Sequence, residues 1–388
     1  GLPRVELEEP RSYRLDEAIE RAFTQRFESR IEFERVMQAR HLAARSYREL
    51  LPHFGIGSIL ALATANVSGI LGSIGDLAPF LFPSRWQQAR QDAFLAQAER
   101  DSLLVMRGNS GVQLEGFAYA IARDLAITRH YEEAIGEAER LRDLVRSLES
   151  MGALPIGSWQ LVETSIHRMR DEHAAVGLGL RQALRHSAQA LGLMNPEAVT
   201  ALVLSADQAP IEAPEEIDTR QLLETAVQRS IEVRQAGFAI EAARVARRSV
   251  SFSWLDPAGE SSLGFGFPSR VEIARSRITE LEASRAQLQS IVLQKASEAA
   301  EAHSFAVAAH ARAREDLALQ EARVARIRRA VEFGAGPTQL DLATALLDRL
   351  RARASLETSV AAYRLSRAKI DRLLLRGHYS RLELQPRP

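Results

Sequence analysis

The chain has 388 residues, with 50 basic and 50 acidic side chains and no cysteine. The balanced charge argues against a nucleic-acid partner, because contacts to phosphates need a basic excess. The lack of cysteine excludes disulfides, thiolate catalysis and thiolate metal sites. With 22 glycines, 14 prolines and 6% aromatic residues, the composition favours long helices over the core of an α/β enzyme.

The first predicted elements are a helix over residues 11–51 and an apolar insert over 53–82. Residues 54–75 of the insert carry no charge, and a run of this length suits a transmembrane helix. Its glycines make one continuous helix poor, and a pair of strands that turns near Asn66 fits as well. The insert is our candidate for contact with a membrane, through the apolar side chains of Phe54, Ile56, Leu60, Ile70 and Leu71.

A long helix over residues 84–150 follows the insert. Its interior glycines each cost about 1 kcal/mol of helix stability relative to alanine. We therefore predict a bend or break near Arg107–Gly111. A turn over 151–157 comes next, and Ser158 is a good N-cap for a helix that ends near Leu193.

The second half begins after an irregular connection over residues 194–219. A helix over 220–249 leads into a short β-hairpin over 250–267, whose apolar residues alternate on both sides of a turn. The next 65 residues, Ser269 to Phe333, contain neither glycine nor proline and are rich in the best helix formers. At 1.5 Å per residue this helix would be about 100 Å long.

A glycine turn at residues 334–337 ends the long helix, and a last helix runs to residue 376. The order of elements in the second half therefore repeats that in the first. The tetrapeptide FPSR occurs at 82–85 and again at 267–270, an offset of 185 residues. We assign a first repeat to residues 11–193, a second repeat to residues 220–376, and a tail to residues 377–388.

This duplicated unit resembles the TolC family of outer-membrane efflux channels, from Leu15 to Leu375. The resemblance rests also on Leu50-Leu51-Pro52 before the first insert and on the turn sequence FGAGPTQLD at 333–341. It implies a mainly α fold, in which duplicated long α-hairpins form a trimeric α-barrel, and the sequence adds short β-hairpin inserts to this fold. It further implies a homotrimer in the periplasm, associated with the outer membrane.

The same resemblance implies partners and site residues. The hairpin tips would contact a periplasmic adaptor protein that is coupled to an inner-membrane transporter. Acidic side chains past the second tip would line the narrow end of a tunnel; Asp341 matches the first of them, and Thr344 stands where a second aspartate is often found. From the residues alone, Asp341 is equally well an acid in a helix first turn, favoured by the dipole. The tip residues are Gly152, Gly157, Gly334, Gly336 and Pro337.

The inserts depart from the family pattern. Each strand of the 250–267 hairpin has about six residues, whereas a tilted transmembrane strand needs about 9–11. We therefore expect a vestigial or missing transmembrane barrel, with membrane contact through the insert end. The predicted function is a periplasmic conduit or scaffold in a tripartite export system. The alternative is a non-transport coiled-coil protein that serves as a structural spacer in the cell envelope.

No pattern of residues predicts an enzyme. The nine histidines lack the spacing of metal ligands, and Gly264-Phe265-Gly266 lacks the continuation that a phosphate-binding loop needs. The many Glu/Arg pairs on the helices are most simply solvated pairs four residues apart. We predict no catalytic residue, no metal site and no cofactor.

Overall fold

The structure, a computed structural model, describes residues 8–50, 83–204, 217–252, 267–332 and 339–382. This part of the chain is mainly helical, as predicted. Its elements in chain order are β1 (Arg11–Arg14), α1 (Leu15–Gln25), α2 (Phe27–Arg48), α3 (Pro83–Ser150), α4 (Ser158–Ala190), β2 (Val199–Val203), α5 (Thr219–Arg229), α6 (Ile231–Phe252), α7 (Phe267–Glu332), α8 (Gln339–Leu374) and a 3₁₀ helix (Gly377–Leu382).

Two very long helices dominate the fold, α3 with 68 residues and α7 with 66. Helix α3 runs without interruption through its glycines, so the break predicted as one alternative near Arg107–Gly111 is wrong, whereas the other alternative, a bend, stays a prediction. The reason that the helix does not break is packing. A Cβ atom added to Gly111 would lie 2.9 Å from Cε1 of Tyr379, so this glycine lets another segment approach the helix closely. Burial of the Tyr379 ring against the helix offsets the weaker helix propensity of glycine.

The start of the predicted first helix is a strand instead. β1 pairs in parallel with β2, which lies inside the connection predicted to be irregular, and Tyr13 is opposite Leu202. Both side chains are buried. A two-stranded pair between segments so far apart in the chain has no local sequence signal, and it is stabilised by the core that it covers.

A second interruption divides the predicted helix 11–51 at Arg26, whose backbone is extended (φ −56°, ψ 137°). The turn at Gly192 packs against the backbone next to Arg26. A Cβ atom on Gly192 would lie 2.7 Å from the carbonyl oxygen of Gln25. The predicted helix 220–249 is also divided, at Ser230. The Ser230 hydroxyl accepts a hydrogen bond from the Val233 amide (3.2 Å) and so caps α6.

The predicted strand at the start of the second insert is partly wrong, because α6 continues through Val250 and Ser251 to Phe252. The Ser251 hydroxyl donates to the Arg247 carbonyl, one helical turn back (3.2 Å). The rest of that hairpin lies outside the described residues. The insert at 53–82, with its five candidate membrane-contact residues, and the second tip at 334–337 lie outside them as well. The duplication stays a prediction, although the described helices of each half follow the same order, two shorter helices, one very long helix and one further helix.

The chain divides into two compact units. The first comprises Gly1–Arg26, Asn109–Leu222 and Ala296–Glu383. One of its two apolar clusters joins β1, α1 and β2 to the middle of α3 and the end of α4, around Leu114 and Ile121. The other joins the C-terminal part of α3 to α4 and α8, around Ile166 and Leu350, and it supports the hairpin tip.

The second unit comprises Phe27–Gly108 and Leu223–Lys295, with the last five residues of the chain. Its helices are held together partly by buried polar contacts. Arg234 of α6 donates two hydrogen bonds to the carboxylate of Asp101 on α3, at 2.7 and 2.9 Å. The Asp101 side chain is almost completely buried, so this bidentate pair supplies the hydrogen bonds that a buried carboxylate requires.

Candidate functional site at the hairpin tip

The tip between α3 and α4 is built on two glycines in left-handed conformations. Gly152 has φ 74°, the Ala153 amide donates to the Leu148 carbonyl (2.9 Å), and the Gly152 amide donates to the Glu149 carbonyl (3.0 Å). This pattern of bonds is a Schellman motif, which ends α3. Gly157, with φ 95°, directly precedes α4. Both glycines therefore occupy turn positions that L-residues with side chains rarely adopt.

The cap of α4 comes from the opposite side of the tip. One carboxylate oxygen of Glu149 accepts from the Gly157 amide (2.9 Å), and the other accepts from the Trp159 amide (3.3 Å). The predicted N-cap, Ser158, lies one residue inside the helix, and its hydroxyl donates to the Pro155 carbonyl (2.7 Å). A carboxylate at a helix N-terminus satisfies free amides and complements the dipole. Sequence reasoning missed Glu149 because a cap supplied from eight residues away has no local signature.

The tip presents apolar side chains to solvent. Ile156 is 96% exposed and Met151 is 68% exposed, whereas Leu154 between them packs against the core beneath. The guanidinium of Arg146 lies over the ring of Trp159 at 5.5 Å, a cation–π contact that joins the two helices just below the tip. A loop whose backbone is held this firmly and whose largest side chains are exposed is suited to contact another protein.

Asp341 and Thr344 lie in the first turns of α8, one turn apart, and both are exposed. Leu342, Ala343 and Leu346, on the other side of the helix, are buried in the core below the tip. Because these apolar side chains face the core, Asp341 and Thr344 lie together on the solvent-exposed side of α8. The other predicted residues of this region, Gly334, Gly336 and Pro337, lie outside the described residues.

Ion pairs between helices hold α8 in this position. The prediction that Glu/Arg pairs are mainly four residues apart misses them, because their partners lie on different helices. A guanidinium nitrogen of Arg349 is 2.8 Å from a carboxylate oxygen of Glu137 on α3, and Arg349 is mostly buried. Further pairs that join α8 to α3 or α7 include Arg353–Glu133 (3.2 Å), Arg353–Glu321 (3.4 Å) and Asp348–Arg323 (2.9 Å).

Two other kinds of site are absent from the described residues. In these ranges, no three histidine, aspartate or glutamate side chains come together in a way that would hold a metal ion. Among the helices that the structure describes, none has an apolar stretch long enough to cross a lipid bilayer.

Solved structures with a similar fold include outer-membrane channels. The outer-membrane channel OprN matches with a TM-score of 0.73 and 14% identity, over 93% of this chain and 89% of that one. The CmeC outer-membrane channel of Campylobacter jejuni matches with a TM-score of 0.71 and 11% identity, over 93% and 85%. The outer-membrane protein VceC of Vibrio cholerae matches with a TM-score of 0.66 and 13% identity, over 93% and 95%.

These matches define the class of fold. The chain has the fold of the TolC family of outer-membrane channels, and the mainly α fold predicted from the sequence is confirmed. No protein-family model and no curated protein sequence matches the chain.

Proposed function

We propose that the protein is a TolC-like component of an export or efflux system, located in the periplasm and associated with the outer membrane. The observation that carries this proposal is the match to OprN, which extends over 93% of this chain and 89% of that one. A spacer protein would not need the whole architecture of a channel. On this proposal the protein is a conduit rather than an enzyme.

The tip residues support a tripartite arrangement. Ile156 and Met151 supply an exposed apolar surface at the tip, on a loop that Gly152 and Gly157 hold in shape. We propose that this surface contacts a periplasmic adaptor protein, which is coupled to an inner-membrane transporter. The exposed pair Asp341 and Thr344, at the same end of the first unit, would line the narrow end of the tunnel.

The exposed side of α7 supports a homotrimer. Phe305 is 69% exposed and Leu319 is 62% exposed, and these residues lie two heptads apart with Arg312 midway between them. The guanidinium of Arg312 lies 6.0 Å from the ring centre of Phe305. Large apolar side chains at heptad spacing are typical of a face that packs on another helix. We propose that a second copy of the chain covers this stripe, which we call the α7 stripe, and that three copies close a ring.

A single introduced thiol tests the conduit. Because the chain has no cysteine, Asp341→Cys carries its only thiol. In a closed ring the three copies of residue 341 converge on the tunnel axis, so a short bismaleimide should cross-link most of the protein into covalent dimers. Asp171→Cys, at an exposed acid on α4, is the control for random collisions. If both variants cross-link equally poorly, the constriction does not exist and the spacer function is favoured.

We further propose that the inserts contact the membrane without forming a full transmembrane barrel. Helix α6 ends at Phe252 and α7 begins at Phe267, which leaves fourteen residues between them. Two membrane-crossing strands of about 9–11 residues each need more. Protein reconstituted in planar bilayers should therefore show no stable large conductance. Reproducible open-channel currents that disappear when residues 253–266 are deleted would contradict this proposal.

A further inference from the structure

The residues predicted to be a tail form a buried contact instead. Tyr379, in the 3₁₀ helix, is completely buried, and its hydroxyl donates a hydrogen bond of 2.6 Å to a carboxylate oxygen of Glu115 on α3. Its ring occupies the space that the absent side chain of Gly111 leaves on α3. The 3₁₀ helix Gly377–Leu382 is therefore docked on α3 through the Tyr379 side chain, whose ring packs at Gly111 and whose hydroxyl binds Glu115.

The turn that leads into this contact is held in a rarely populated conformation. Leu375 has φ 51°, which is unusual for a residue with a side chain, and it is buried. The Arg376 amide donates to the Asp371 carbonyl (2.8 Å), which ends α8. A left-handed leucine is strained and persists only where its surroundings stabilise it. The docked 3₁₀ helix Gly377–Leu382 begins directly after this turn.

Glu115 is almost completely buried. Within the described residues no arginine or lysine forms an ion pair with it, and Nε2 of His378 is the basic nitrogen near it, 3.5 Å from its carboxylate. Burial raises the pKa of Glu115 to about 7; the hydrogen bond from Tyr379 opposes this shift and the nearby Asp371 adds to it. The titratable or charged groups that face this contact are Tyr119 of α3, Asp371 and Arg372 of α8, Asp16 of α1, and His378, Tyr379 and Arg381 of the 3₁₀ helix.

We propose that the 3₁₀ helix Gly377–Leu382 is a pH-sensitive latch, which anchors the carboxyl end of α8 on α3 while Glu115 is protonated and loosens when Glu115 loses its proton. A protonated Glu115 still accepts the hydrogen bond from Tyr379 and adds no charge to the buried contact. A deprotonated Glu115 is a buried anion close to Asp371. Since Asp341 lies near the other end of α8, the latch controls the anchoring of the helix that carries the candidate constriction.

The direction of the pH effect follows from the two titrating groups. A carboxyl group whose pKa is higher in the docked state stabilises docking fully below its ordinary pKa, and this contribution is lost as the pH rises through about 7. His378 acts in the opposite direction. Burial lowers its pKa, so its contribution is present above the ordinary histidine value and is lost as the pH falls. An experiment must therefore distinguish the titration of Glu115 from that of His378.

Hydrogen exchange of the full chain, followed by mass spectrometry on peptides that cover residues 375–382, measures how often the latch opens. Glu115→Gln keeps an acceptor for Tyr379 but does not titrate. We expect the ratio of the opening constants of the wild-type and Glu115→Gln proteins to rise about tenfold between pH 6 and pH 8. Comparison at equal pH removes the intrinsic pH dependence of exchange. The control variant Glu132→Gln changes an exposed acid on the same helix, and its opening constant should depend on pH as that of the wild type does.

A second variant tests the latch if Glu115→Gln does not fold. His378→Gln removes the opposing titration, so its opening constant, corrected for intrinsic exchange, should itself rise about tenfold between pH 6 and pH 8. The amides of residues 191–193, at the end of α4, serve as an internal reference with no such rise. The proposal would be overturned if the opening constants of the wild-type and Glu115→Gln proteins changed in parallel with pH. It would also be overturned if the opening constant of His378→Gln did not change with pH.

Discussion

Phe305→Glu combined with Leu319→Glu is expected to convert the proposed homotrimer into monomers. Burying each of these side chains is worth about 1.5–3 kcal/mol, and a closed ring repeats the contact three times. Placing two charges in each interface removes this contribution and adds the cost of burying unpaired carboxylates. Light scattering on membrane-extracted protein at micromolar concentration should give the trimer mass for the wild type and the monomer mass for the double variant.

The control for this experiment is Ala311→Glu. Ala311 is exposed on α7 but lies about 100° around the helix from the α7 stripe, so its charge should leave the trimer intact. The double variant should retain its helical circular dichroism, because both positions are exposed in the single chain. A wild-type chain that is monomeric throughout, or a double variant that stays trimeric, would contradict the proposed role of the stripe.

Gly192→Ala is expected to destabilise the first unit by about 2–4 kcal/mol. Two effects add at this position. The backbone is left-handed, with φ 70°, and the new Cβ atom would lie 2.7 Å from the Gln25 carbonyl oxygen and 2.9 Å from Cα of Arg26. Both of these atoms belong to the backbone at the division between α1 and α2, so they cannot move aside as a flexible side chain would. Urea unfolding followed by circular dichroism should show a lower midpoint.

Gly136→Ala is the matched control for the substitution at Gly192. Gly136 lies in the interior of α3, and a Cβ atom there would meet nothing within 4 Å. Alanine should therefore stabilise the helix by about 0.5–1 kcal/mol, the difference in helix propensity. If the two variants unfold at the same urea concentration, the close approach at Gly192 does not carry the energy assigned to it.

The four longest helices and the position of the first tip could be predicted from the sequence alone. These features depend on local physics: the run without glycine or proline in α7, and the glycines of the tip, whose conformations residues with a side chain rarely adopt. The resemblance to the TolC family was also visible in the sequence, because the order of elements and the motif at 333–341 do not depend on distant contacts. The partners and the tunnel residue Asp341 stay proposals.

Contacts between residues that are far apart in the sequence, by contrast, are decided by the tertiary structure. Arg11 pairs with Val199 in a sheet, where the sequence favoured a helix start and an irregular connection. Tyr379 reaches Glu115 across 264 positions, and Arg349 reaches Glu137 across 212. Propensities and caps depend on neighbours within about four residues. Contacts between such distant segments depend on how whole helices pack, so the buried carboxyl of Glu115 and its latch become visible only in the three-dimensional structure.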